Sequence, residues 1–471
     1  MSSTTIPRLV VAGTASGTGK TTVTVGLIGA LRARGLRVAA FKGGPDYLDP
    51  TYHARATGAP CHNLDGWMMG KDAVRATFAR ASAGADVAIV EGVMGVFDGA
   101  SPTGDAGSTA ELARWLDAPV LVVIDASGMA RTIAAIAGGL AAFDPDLRVA
   151  GVIANQVGSR GHLELLRKAL ARPPVLGGLP DEPALAFPAR HLGLVAADRG
   201  AVLDARFGAW AERVAGWFDL DAILALARSA PALPPAAVEA APGPTRCRLA
   251  IAADAAFHFY YEDNLRRLEA AGALLVPFSP LTDATLPAVD GVYLGGGYPE
   301  LHAAALSENR TMHASLAGFA AAGGPIYAEC GGLMYLCEAI CTRDGRRHPM
   351  VGLLPGEAVM GDRLAALGYV EVETQARSAL GAPGLRFRGH QFRYSELRGV
   401  PDDVERIYRV RRRRDDATSA EGYRRGSVLG SYVHAHWASN PAVATGLVAA
   451  CVEHASRAAR RAPGTGAQTV P

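Results

Sequence analysis

An α/β protein of two doubly wound domains is what this sequence predicts, and three observations predict it. The chain has 471 residues, more than the about 250–300 at which one hydrophobic core usually stops growing. Short β-branched runs alternate with helical patterns in both halves, the signature of parallel strands covered by helices. Between the halves, Ser229 to Arg246 is rich in Ala and Pro without usable periodicity, a linker whose repeated prolines oppose helix and sheet alike. The domains are therefore expected at 1–228 and 247–456, joined by a linker at 229–246 and followed by a flexible tail at 457–471.

Composition narrows the class. Hydrophobic residues make up 49% of the chain, enough for two packed cores and too many for a disordered one. Lys+Arg 47 against Asp+Glu 45 leaves a formal charge of +2, so no global field argues for nucleic acid or an anionic membrane, and a small-molecule partner is expected. Met1 to Val11 lacks the basic, apolar, small-residue order of a signal peptide, which points to the cytoplasm. The most apolar helical stretch, Thr132–Phe143, falls far short of the about 20 residues a membrane span needs. The 6 cysteines are scattered and expected as reduced thiols. Cys337 and Cys341 stand one helical turn apart, but with no second pair at ligand spacing they read as helix packing, not as a metal site.

In the first half, strands are expected at Arg8–Ala12, Arg37–Lys42, Asp86–Glu91, Pro119–Asp125, Val149–Val157 and Pro174–Leu179. After the first of these, Thr14-Ala-Ser-Gly17-Thr-Gly19-Lys20-Thr21 leaves a strand and opens a helix, the context a phosphate loop requires. Successive backbone N–H groups and the helix N-terminus surround phosphate oxygens there, Lys20 neutralises the β/γ region, and the Thr21 hydroxyl can ligate Mg²⁺. Gly13 comes one residue earlier than the standard pattern, and Thr14 holds the usual first-glycine place. The strand Asp86–Glu91 ends in an acid that can stand beside that Mg²⁺ at the carboxyl edge of the sheet. Two loops add to the site: Phe41 to Pro50, with Lys42 and Asp46, and Gly95 to Gly99, with Asp98 between glycines. Several acids and a long loop suit activation of a carboxylate by the γ-phosphate better than hydrolysis alone.

In the second half, strands are expected at Arg248–Ala253, Leu274–Phe278, Gly291–Leu294 and Pro325–Ala328, then in a β-rich stretch through Gly368–Val372, Arg386–Tyr394 and Ser427–His434. Pro325-Ile-Tyr-Ala-Glu-Cys330-Gly331-Gly332 runs from a strand into a helix with the cysteine at the turn, the pattern of a nucleophile elbow. The helix N-terminus there should favour thiolate, and the N–H of Gly331 could hold a developing oxyanion. Leu294-Gly295-Gly296-Gly297 also ends a strand and could supply the second donor from Gly296. Gly430-Ser-Tyr-Val-His434-Ala-His436 offers two candidate bases.

Both motif sets resemble known families. The phosphate loop resembles the dethiobiotin-synthetase branch of phosphate-loop enzymes. The elbow, the triple-glycine strand end and the late histidine resemble a class I glutamine amidotransferase domain, in which Cys330 would attack the glutamine amide and His434 would take its proton. Such domains usually carry an acid two residues after the histidine; here that residue is His436, a departure shared with the cobyric and cobyrinic amidase subgroup. His434 is preferred because it follows Ser-Tyr-Val as in that subgroup. The chain from Val10 to about His454 is similar to the cobyrinic acid a,c-diamide synthase family, including its hydrogenobyrinic form. The matching segments include Phe41–His53, Asn63–Trp67, Glu91–Gly99, Arg190–Leu194, Asp254–Glu262 and Arg388–Ser395. In the last, the family's Glu and His are Gln391 and Arg393, to which no catalytic role is assigned.

The resemblance implies amidation of the a- and c-acetate carboxylates of a corrin precursor with ATP, Mg²⁺ and glutamine. Gly17, Gly19, Lys20, Thr21, Thr22 and Lys42 fall at nucleotide positions, Thr21, Asp46 and Glu91 at metal positions, and Tyr47, Leu48 and Asp98 at acceptor positions. Asn155 would contact adenine, although an Asn ending a strand serves equally as a turn former. Nitrogen would pass between the domains through protein, and a homodimer is compatible with the resemblance. Cobyric acid formation and nickel-sirohydrochlorin diamidation are the neighbouring readings. A partition-type ATPase switch is the contrasting one, and this chain has Thr14, Ala15 and Ser16 where such switches carry an extra lysine.

Overall fold

The computed structural model describes residues 5–183, 189–190, 193–194, 201–236 and 243–461. The chain divides into two compact units, Met1–Glu239 and Ala240–Pro471. Residues 191–192 of the quoted Arg190–Leu194 segment, residues 237–242 of the linker stretch and residues 462–471 of the tail lie outside the described residues.

Seven parallel strands form the first unit's main sheet: β1 (Arg8–Gly13), β2 (Val38–Gly43), β3 (His62–Leu64), β4 (Val87–Glu91), β5 (Val120–Asp125), β6 (Val149–Val157) and β7 (Val175–Pro180). Their order is β3-β2-β4-β1-β5-β6-β7. The central strands read as unbroken apolar runs, such as Val87–Val90 and Val120–Ile124, because helices cover both faces of an all-parallel sheet. Each such side chain, fully buried, contributes about 1.5–3 kcal/mol. A separate antiparallel pair joins β8 (Ala189–Arg190) and β9 (Gly193–Leu194). The strand β3 was not expected; at three residues on the sheet edge it is too short to carry a periodic signal. Helix Thr132–Phe143 forms as expected, and among the described residues no helix is long and apolar enough to cross a membrane.

The second unit begins with β10 (Cys247–Ala252), β11 (Ala273–Phe278), β12 (Gly291–Leu294) and β13 (Ile326–Glu329). A small sheet follows from β14 (Ala339–Cys341), β15 (Arg347–Pro349), β16 (Glu357–Met360) and, later, β19 (Ser395–Arg398). The large sheet continues with β17 (Ala366–Thr374), β18 (Arg386–Arg393), β20 (Glu405–Arg412), β21 (Thr418–Arg425), β22 (Val428–Ser431) and β23 (His434–His436). Its order is β11-β10-β12-β13-β22-β21-β20-β17-β18-β23, parallel from β11 to β22 and antiparallel beyond.

The run expected as one strand from Ser427 to His434 is two. β22 lies beside β13, whereas β23 pairs with β18. Three residues from Ser431 to His434 reach at most about 11 Å, yet five strand spacings in a flat sheet would separate β22 from β23 by about 24 Å. The antiparallel half must therefore curl round, which returns His434 to the edge where β13 ends. The backbone N–H of Ala435 in β23 donates to Glu329 of β13 at 3.2 Å.

Two further expectations are corrected. Cys337 follows the short helix Gly331–Leu336 and Cys341 lies in β14, so they do not share a helix face; all six cysteines are free thiols. The last helix runs from Ala442 to Arg461, five residues into the stretch expected as tail, because Val443, Leu447, Val448 and Cys451 bury one stripe of it.

Candidate active sites

The phosphate loop leaves β1 at the centre of the first sheet and opens helix Lys20–Ala33. Gly17 and Gly19 adopt φ of 83° and 91°, the left-handed region that glycine enters without strain. A Cβ on Gly19 would lie 2.1 Å from Nδ2 of Asn155, which donates to Thr18 O at 2.9 Å. The early Gly13 has its own reason: a Cβ there would lie 2.6 Å from Thr18 Oγ1 and 3.0 Å from Lys20 Nζ. Lys20 crosses the loop, donating to Ala15 O at 2.9 Å and Met94 O at 2.7 Å. Burial, then the Lys42 charge, lowers its pKa.

Sheet register assembles the acids. Val11 of β1 and Lys42 of β2 both stand opposite Glu91 of β4. Oε1 of Glu91 accepts from Thr21 Oγ1 and Lys42 Nζ, each at 2.8 Å, and Oε2 meets His53 Nε2 at 2.7 Å. Asp49 Oδ2 meets Lys42 Nζ at 2.5 Å and accepts from Thr21 Oγ1 at 3.3 Å. Burial would raise Glu91, but Lys42 and His53 outweigh it and hold the carboxyl below the ordinary range. Burial likewise opposes the Lys42 charge, and Glu91 and Asp49 more than restore it. Asp49 is pushed up to about 7 by burial and by Asp46.

The acid within hydrogen-bond reach of Thr21, beside Glu91, is Asp49. Asp46 Oδ1 accepts from Leu48 N at 2.8 Å and Asp49 N at 3.0 Å, closing the turn that leads into helix Asp49–Thr57. Gly17, Gly19, Lys20, Thr21, Thr22, Lys42, Asp46, Glu91 and Asn155 all line one cavity of about 550 Å³. Leu179, Pro180 and Trp210, none of which the motifs mark, line it as well. Tyr47, Leu48 and Asp98 do not line it; Asp98 Oδ2 accepts from Gly95 N at 3.0 Å and ties that loop. Among the described residues no group of three or more His, Cys, Asp or Glu could hold a metal on its own. Two carboxylates and a hydroxyl nevertheless suit Mg²⁺, which is usually completed by substrate phosphates and water.

In the second unit, Cys330 sits at the turn between β13 and helix Gly331–Leu336 with φ 47° and ψ −101°, a conformation that costs a non-glycine residue about 1–3 kcal/mol. The surroundings hold it there. Its N–H donates to Ser431 O at 2.7 Å. A Cβ on Gly332 would lie 2.3 Å from Leu294 O, and one on Gly331 would lie 3.0 Å from Gly297 N, so the end of β12 presses on the elbow. A Cβ on Gly296 would lie 2.5 Å from Cε1 of His434, placing that ring on the same glycine strand end.

The expected thiolate is not what this setting favours at rest. Burial pushes the Cys330 thiol up to about 12, Glu300 adds to the rise, and Arg393 and the Gly331 N–H pull against it. The helix has only six residues and does not overcome the loss of water. Burial pushes His434 down to about 3 and His436 to about 4, so both are neutral bases near pH 7. The ring of His390 stacks on His434 with centroids 5.0 Å apart and 18° between planes. Beneath the thiol, Glu329 accepts from Tyr327 Oη at 2.8 Å and Tyr293 Oη at 3.0 Å. Burial raises its pKa to about 7. Gln391 is buried, and the Arg393 guanidinium lies 4.4 Å over the Tyr432 ring.

Motif reading had not singled out Asp49, His53, Glu300, Glu329 or His390. One signal was present: Pro50 marks a helix start near Asp49, which puts Asp46 in the turn before it.

Residues 9–195 match the CobQ/CobB/MinD/ParA nucleotide binding domain family, and residues 248–442 match the CobB/CobQ-like glutamine amidotransferase domain family. A nucleotide-binding unit and a glutamine amidotransferase unit on one chain define a glutamine-dependent ligase. Relatives named cobyrinate a,c-diamide synthase align along almost the whole length. That of Leptospira interrogans serovar copenhageni is 51% identical over 448 residues, covering 95% of this chain and 99% of its own. That of Syntrophotalea carbinolica is 52% identical over 452 residues, covering 94% and 98%. That of Methanosarcina barkeri is 40% identical over 474 residues, covering 94% and 96%. The chain belongs to the cobyrinate a,c-diamide synthase family.

Proposed function

We propose that this chain converts the a- and c-acetate carboxylates of a corrin precursor, cobyrinate or its metal-free form, into primary amides with ATP and glutamine. The observation that carries the reading is the presence in one chain of two complementary sites. One is a phosphate loop flanked by Thr21, Glu91 and Asp49; the other is a strained Cys330 elbow sharing a glycine strand end with His434.

In the second unit, the Cys330 sulfur attacks the glutamine amide carbon as its proton passes to His434. The N–H groups of Gly296 and Gly331 face the oxygen as charge develops. The C–N bond then breaks, His434 returns the proton to the leaving nitrogen, and ammonia departs. Water hydrolyses the thioester to glutamate and restores the thiol. His434 is neutral near pH 7 and so keeps a ring nitrogen free to accept that proton.

In the first unit, the loop N–H groups, Gly17, Gly19, Lys20 and Thr22 hold the ATP phosphates, and the base lies toward Asn155, Leu179 and Pro180. Thr21, Glu91 and Asp49 would hold Mg²⁺, which supplies charge neutralisation at the phosphates when bound. An acceptor carboxylate oxygen takes the γ-phosphoryl group, and ADP leaves. Ammonia attacks the acyl carbon and displaces phosphate, giving the amide. Lys42 pairs with both carboxylates, and Tyr47, Leu48 and Asp98 would meet the corrin side chain outside the nucleotide cavity. The supply of ATP and glutamine fits a cytoplasmic enzyme.

The test is mass analysis of the acceptor after incubation with ATP, Mg²⁺ and glutamine. Cobyrinic and hydrogenobyrinic acids should each gain two amides in succession. Conversion of nickel-sirohydrochlorin alone would overturn the substrate assignment.

A further inference from the structure

The residue two places after His434 is His436, a neutral base whose Nδ1 accepts from Ala438 N at 3.4 Å in the turn that follows. The face of the His434 ring is instead met by another imidazole. Strands β18 and β23 pair in register with His390 opposite His434, and the rings stack at 5.0 Å and 18°. Both residues are buried. The His390 ring is fixed in turn: its Nδ1 hydrogen-bonds to the Tyr261 hydroxyl at 3.0 Å, and the Tyr261 ring packs on His436 at 4.6 Å.

We propose that His390, held by Tyr261, is a positioning residue for His434, presenting a fixed π face to the imidazolium that forms when the Cys330 proton is taken. A stacked ring restricts the tilt of its neighbour, and a neutral aromatic face attracts a cation where a charged one would repel it. Burial, with His434 and His436 alongside, keeps His390 uncharged, which suits that role. Positioning is the larger part of the effect, because a displacement of about 1 Å in a proton acceptor costs on the order of 100-fold in rate. The inference rests on His434 being the base of the glutamine site.

The experiment compares His390→Ala, His390→Phe, Tyr261→Phe and His434→Ala in the full chain, measuring kcat and KM with glutamine, and the amidation rate with ammonia. His390→Ala should lower kcat with glutamine by about 100-fold at unchanged KM, leaving the ammonia rate intact. His390→Phe, which keeps a neutral ring, should recover most of that loss. A native kcat in His390→Ala, or no recovery in His390→Phe, overturns the proposal. Should His390→Ala lose both nitrogen sources, Tyr261→Phe decides: a lowered kcat with glutamine alone supports the proposal, and an unchanged kcat overturns it. A native glutamine rate in His434→Ala would instead remove the base assignment on which the inference rests.

Discussion

Glu329 stands one residue before the nucleophile and is buried against two tyrosine hydroxyls and the N–H of Ala435. Burial raises its pKa to about 7. A carboxyl raised on folding stabilises fully below its unfolded pKa of about 4.3, and that contribution is lost as pH climbs through the folded value. Glu329→Gln is neutral throughout, so its stability relative to the native protein should increase by about 3 kcal/mol from pH about 4 to pH about 8. Denaturant melts at the two pH values check this, and a constant difference would contradict it. His434 runs the other way: with its pKa lowered to about 3, its contribution is present above about 6.5 and fades as pH falls. In the other unit, Lys42 is the cation shared by Glu91 and Asp49, with only 4% of its side chain exposed. Lys42→Met leaves both acids without it and should cost about 3–5 kcal/mol in denaturant melts. A loss below 1 kcal/mol, the range of exposed pairs, would show that the acids find another partner.

At the scale of elements, the close approach of β12 to the elbow is what lets Cys330 keep its strained backbone. Gly332→Ala would drive a methyl against Leu294 O and should destabilise by about 1–3 kcal/mol. Gly208→Ala is the control: in helix Ala201–Trp217 a Cβ at Gly208 meets nothing within 4 Å, so the change should be neutral or mildly stabilising. Equal loss in both variants would contradict the packing account. The motifs that sequence made legible are those whose chemistry is local: a strand, a glycine turn and a helix in succession, as at Gly13–Lys20 and Glu329–Leu336. What it concealed depends on partners distant in sequence. The hairpin β20–β21 leaves its outer face to charged residues such as Arg409, Arg411 and Arg424, so apolar alternation is weak there. The stack of His390 on His434 exists only because the sheet curls until β23 meets β18, and no periodicity in either segment encodes that closure.

At the scale of the whole molecule, the two units divide the chemistry unequally. In the proposed reaction the thiol site would supply nitrogen and could be bypassed by free ammonia, whereas the phosphate loop would activate the acceptor and could not. That two-unit plan was legible from the Ala/Pro-rich stretch and the two motif sets, since among the described residues no helix or strand is found between Arg228 and Cys247. The contact of Thr21 with Asp49 was not, because Asp46 and Asp49 lie three residues apart and only the start of the helix decides which meets Thr21. The most direct measurement is acceptor amidation by Cys330→Ala and Lys20→Ala, each with glutamine and then with ammonia. Cys330→Ala should fail with glutamine and work with ammonia, and Lys20→Ala should fail with both. Glutamine use by Cys330→Ala, or ammonia-driven amidation by Lys20→Ala, would contradict the account.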